Sequence, residues 1–155
     1  MDLKGVHKFF EALGNELEKL GINTTYVEGA GAPQIGDTLR ILFPVTDEGH
    51  AAITEVMVSE LEEDLNMLHI YSTIVVELNE KADELPNKLI EWNLLCPLGG
   101  YGLYEEERQL YHKYTMPFNI NKDPESLADD TMTLLELLFN VLTNAYPDYS
   151  VYAAE

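Results

Sequence analysis

The chain has 155 residues, 46% of them hydrophobic, and carries 28 Asp and Glu against 9 Lys and Arg, a formal charge of −19. That apolar content excludes a disordered chain and suffices for a single core without disulfides or metal. The acidity argues against nucleic acid and anionic membrane surfaces, because both require clustered Lys and Arg to neutralise phosphate.

Residues 2 to 20 place Leu3, Val6, Phe9, Phe10, Leu13, Leu17 and Leu20 at helical spacing, and Gly21 stops the predicted helix. The Gly- and Pro-dense stretch 28–36 reads as a flexible connector. Residues 38–46, 51–60 and 65–78 are rich in β-branched and aromatic residues with short polar gaps, which predicts an antiparallel meander. In the second, Ile53, Glu55 and Met57 share one face while Thr54, Val56 and Val58 share the other.

Helical spacing returns over 82–95, with Leu85, Leu89, Trp92 and Leu95 on one stripe and Asp83, Glu84 and Pro86 suited to a first turn. Two short strands follow, 101–105 and 109–117, joined at Glu105-Glu106-Glu107-Arg108. A last helix runs from Pro124 to about Ala145, capped near Asp123 and stopped by Pro147. The order α-β-β-β-α-β-β-α, within a single domain 1–155, predicts an α+β fold with a central antiparallel sheet and helices on one face. The ordered core is expected over 3–146, with 147–155 as a short tail.

The helix-ending Trp92-Asn93, the Gly99-Gly100-Tyr101-Gly102-Leu103 turn and the Leu110-Tyr111-His112-Lys113-Tyr114 strand, set in this element order, resemble the YbjN-like family of bacterial proteins over about residues 3–146. That resemblance implies the fold of type III secretion chaperones and a bacterial cytoplasmic protein, sometimes described as a sensory transduction regulator. The motifs are structural and carry no catalytic signature.

The residues themselves point the same way. GxSxG, P-loop and GxGxxG motifs are absent, and Gly99-Gly100-Tyr101-Gly102 lacks the Lys and spacing of a phosphate cradle. His7, His50, His69 and His112 lack metal-ligand spacing, although His69 and His112 would meet if their strands are neighbours. Asn119, Asn121, Asp123 and Glu125 read as a turn and cap rather than a calcium loop. The lone Cys96 reads as a packing residue at a helix end. No cofactor or metal is expected.

Tyr101, Tyr104, Tyr111 and Tyr114, with Trp92, are the candidate partner-binding surface, since Tyr and Trp supply contact area with a polar handle. The acidic turns Glu62-Glu63-Asp64 and Glu105-Glu106-Glu107 are the candidate steering groups. The expected function is a non-catalytic protein-interaction or regulatory module, with a basic protein as partner. A chaperone holding a client peptide is the first alternative, and a small-ligand sensor or enzyme with a carboxylate or His pocket the second. Monomer and homodimer both remain open. Met1-Asp2-Leu3-Lys4 lacks the apolar core of a signal peptide, which reads as cytoplasmic.

Overall fold

The computed structural model describes residues 3–29, 36–63 and 65–155, so most of the expected connector (30–35) and Asp64 of the first acidic turn lie outside the described residues. Helix α1 (Leu3–Lys19) buries Val6, Phe9, Phe10, Leu13 and Leu17 on one stripe and ends before Gly21, whose φ of 74° is the left-handed conformation that closes a helix.

Strand β1 (Asn23–Val27) follows, an element the sequence reading left without structure. Its first three residues, Asn-Thr-Thr, carry no apolar alternation, and its order comes from pairing with β2 (Thr38–Pro44), Tyr26 opposite Leu39. Asp37 fastens the pair: it accepts the Tyr26 hydroxyl and, at 3.0 Å, the Gly29 backbone N–H. Those two hydrogen bonds hold its carboxyl below the usual carboxylate range.

Strands β3 (Ala51–Glu62) and β4 (Leu65–Val75) form the predicted meander with β2. Strands β5 (Gly100–Tyr104) and β6 (Gln109–Phe118) complete a six-stranded, wholly antiparallel sheet of order β1-β2-β3-β4-β6-β5. Helix α3 (Pro124–Tyr149) begins at the predicted cap, where the Asp123 carboxylate accepts the Ser126 N–H at 3.0 Å. It packs with α1 over one face of the sheet. Leu39, Ile41, Val56, Val58, Leu68, Ile70 and Leu110 are buried on the covered side, and Phe43 stacks on Phe139 with centroids 3.6 Å apart. The Thr54 and Ser72 hydroxyls, buried among them, bond each other at 2.8 Å.

The alternation predicted for β3 is observed: Thr54, Val56 and Val58 are buried, while Ile53, Glu55 and Met57 lie half-exposed on the face without helices. His69 and His112 do not meet. Their strands are neighbours, but His69 pairs with Thr115 and His112 with Ser72, which places them on opposite faces.

Two boundaries differ from expectation. The segment 82–95 divides into a 3-10 turn (Glu80–Glu84), capped by Asn79, and helix α2 (Leu85–Leu95). Pro147 does not stop α3. It removes one N–H near the helix end, where the loss is small, and α3 runs on to Tyr149 before a 3-10 turn at Ser150–Tyr152. The expected tail is therefore packed structure: Tyr149 and Tyr152 are buried, Ala153 bridges Leu78, and the Asn79 side chain donates to Val151 O at 2.8 Å. We predict that Tyr152→Ala destabilises the fold by about 3 kcal/mol in urea unfolding. An unchanged midpoint would mean that the segment is a tail after all.

Candidate interaction site

The Trp92-to-Tyr104 stretch folds into a clasp between α2 and the edge of the sheet. From the last turn of α2, the Asn93 carbonyl oxygen accepts the Tyr101 backbone N–H at 2.6 Å and its amide donates to Tyr101 O at 2.9 Å. One side chain thus satisfies both outward backbone groups of an edge-strand residue, which would otherwise invite another strand. The chain turns at Gly99, with φ 72°, where an added Cβ would sit 2.4 Å from Lys113 O.

His112 holds the turn from below. It is 1% exposed, and its Nε2 lies 2.8 Å from Leu98 O. A carbonyl only accepts, so Nε2 carries the proton and donates it there. Cys96 Sγ lies 3.8 Å from the same nitrogen and itself donates to Leu98 O at 3.2 Å. The nitrogen facing the sulfur is therefore not a free base, and the Cys–His pair ties the turn rather than activating a thiolate. Burial lowers the His112 pKa, opposed by the Leu98 hydrogen bond.

The five predicted contact residues do not form one surface. Tyr104 and Tyr111 lie on the open face of the sheet with Tyr71, which sequence reasoning missed. The Tyr71 and Tyr111 rings stack at 4.8 Å, and Tyr104 lies 4.8 Å from Tyr111. Gly102 makes the bed for this plate, since a Cβ there would sit 2.3 Å from the Tyr111 ring. The Tyr71 hydroxyl is shielded and lacks a well-formed hydrogen bond among the described residues; Tyr104 is the neighbour best placed to supply one. Tyr101 faces the other way, against Trp92 at 5.8 Å and His112 at 5.1 Å. Tyr114 also lies on the helix-covered face, partly buried against the core.

The acidic turns are separated too. Glu62 and Glu63 sit where Asn66 meets Phe118, and Glu105, Glu106 and Glu107 where Val75 meets Leu110. At roughly 3.3 Å per residue the two ends of β4 are about 30 Å apart. The second turn stands close to the α2 end of the molecule, because Arg108 donates to Leu78 O at 3.1 Å and Asn79 O at 2.8 Å.

The surface that sequence reasoning missed is the outer side of α2. Leu85, Leu89 and Trp92 face inward as predicted, but Leu95 does not join them and is 74% exposed. Ile90 and Leu94, one turn apart on the opposite side, are 72% and 83% exposed. The helix is thus apolar on two sides and covered on one. The signal was present in the sequence: Leu89-Ile90 and Leu94-Leu95 put apolar residues at more positions than a one-sided helix uses. Glu80, Asp83, Glu84 and Glu91 surround it, against Lys81 and Lys88.

Among the described residues no cluster of His, Cys, Asp and Glu could hold a metal ion, and no helix is long and apolar enough to cross a membrane. No model of a known protein family matches the chain, and no curated protein matches it.

Two predictions follow from the clasp. Gly99→Ala meets backbone at a positive φ and should cost roughly 2 kcal/mol or more, whereas Gly102→Ala meets a ring that can swing outward and should cost about 1 kcal/mol or less. The latter should instead alter the near-ultraviolet circular dichroism of the tyrosines, and equal losses for both would contradict the geometry. Because the folded pKa of His112 is held below its ordinary 6.5, the unfolded chain takes up a proton first on acidification. Its contribution to stability is complete above that value and declines as pH falls below it. His112→Gln should flatten the stability loss between about pH 7.5 and about pH 5, leaving the share of His69, lowered likewise by burial and then by Lys113. Equal slopes for wild type and variant would refute this.

Proposed function

We propose that the protein is a non-catalytic protein-interaction module whose contact surface is the outer side of α2, and that its partner presents a basic amphipathic helix. The observation that carries this reading is a short helix with apolar residues on both sides, of which Ile90, Leu94 and Leu95 remain roughly three-quarters exposed. An amphipathic helix needs one apolar side for its own core, so a second, exposed apolar side marks a contact.

Charge selects the occupant. Over residues 80–95 four acids (Glu80, Asp83, Glu84, Glu91) stand against two bases (Lys81, Lys88), and the chain as a whole carries −19. A basic partner is drawn to such a surface, whereas a second copy meets like charge. Helix docking fits better than strand addition, because Asn93 already occupies the outward backbone groups of Tyr101 at the β5 edge. The resemblance to the YbjN-like family supports a regulatory role in a bacterial cytoplasm.

A labelled amphipathic Leu/Lys peptide titrated with the protein and followed by anisotropy tests the proposal. Leu94→Asp and Ile90→Asp should each weaken binding by about tenfold or more, although they add negative charge. Binding that is unchanged or tightened would show mere attraction of opposite charges and overturn the reading. So would light scattering that finds a dimer split by Leu94→Asp, since a second copy would then cover the ridge.

A further inference from the structure

A cleft of about 370 Å³ opens where the C-terminal ends of α2 and α3 meet β5, walled by Trp92, Leu95, Tyr101, Val141, Asp148 and Tyr149. We propose that it binds a small organic ammonium ion with an apolar body. Of the ridge residues Leu95 alone also lines it, and the inference rests on Asp148, Trp92 and Tyr101 rather than on the ridge.

The argument begins with the helix ends. A helix C-terminus carries about half a negative charge on its unpaired carbonyls, which a Lys or Arg in the last turn ordinarily offsets. Neither α2 nor α3 has a basic residue in its last turn, and both end at this cleft. Asp148 adds a full negative charge and, among the described residues, is the one charged group on the wall. Its field reaches inward: the Tyr101 phenol is pushed up by burial first, then by Cys96 and Asp148. Among the described residues that line the cleft, none is a cation to meet that negative potential.

The walls match the rest of such a ligand. Trp92 and Tyr101 both line the cleft and pack edge to face, at 70° with centroids 5.8 Å apart, and aromatic surface of this kind attracts alkylammonium groups. Asn144 and Asp148 supply acceptors for ammonium N–H donors, while Leu95, Val141 and Tyr149 take apolar carbon.

Trp92 is the chain's single tryptophan, so its fluorescence reports the cleft. Three probes of one shape separate charge from apolar contact: phenethylammonium, phenethyl alcohol and phenylacetate. The proposal expects saturable quenching by phenethylammonium, about tenfold weaker binding of the alcohol and none of the acid. Asp148→Asn, an exposed and nearly isosteric change, should weaken the ammonium several-fold, towards the level of the alcohol, while leaving the alcohol unaffected. Equal binding of all three probes, an ammonium affinity unmoved in Asp148→Asn, or no saturable signal at millimolar probe would each overturn it. Ile90→Asp and Leu94→Asp should leave this titration unchanged, which keeps its outcome separate from that of the ridge.

Discussion

A sheet that does not close leaves outward backbone groups on its last strand, and here a single amide takes up both of those of Tyr101. Asn93 bonds the N–H and the carbonyl of Tyr101, and by reaching them it ties the last turn of α2 to the β5 edge. The placement of everything nearby depends on that link. Trp92, next to Asn93, is brought against Tyr101 and Tyr152, the turn through Leu98 and Gly99 is drawn over His112, and the cleft forms between the ends of α2 and α3. The same geometry turns Ile90 and Leu94 outward, because residues on opposite sides of one helix cannot both face the sheet.

Electrostatics adds a second layer. Most of the 28 acidic residues lie on exposed surface, where like charges repel one another. The open face of the sheet departs from this pattern: its central positions carry Arg40, paired with Glu55 at 3.5 Å, and Lys113. That exposed ion pair adds little stability, but it leaves the face nearly neutral beside the Tyr71, Tyr104 and Tyr111 plate. The acidic surroundings of α2 and of the cleft are therefore a local property rather than a uniform coating.

Much of the fold was legible because periodicity is a strong signal over long elements. Leu3 to Leu17 announced α1, and the alternation through β3 assigned Val56 and Ile53 to their correct faces. What escaped notice depends on partners distant in sequence. Strand β1 is five residues with little pattern, ordered by pairing with β2. The end of the chain is ordered by Asn79 and Leu78, more than 70 residues earlier, which local turn signals such as Pro147 cannot reveal. Strand alternation already left only about half of the tyrosines for the core, but that Tyr104 and Tyr111 meet Tyr71 on one face followed from a register that only the paired strands define. On α2 the one-sided stripe held for Leu85, Leu89 and Trp92 but not for Leu95, and Ile90 and Leu94, outside the stripe, were passed over because spacing alone does not say what covers the other side of a helix.

Hydrogen exchange on the protein with and without the basic amphipathic peptide tests most directly whether α2 is the contact surface. Amides of residues 87–95 should gain protection, with the open sheet face at 67–73 and the Glu62-Glu63 turn unchanged. Protection of the sheet face with α2 unaltered would contradict the assignment and move the contact to the tyrosine plate.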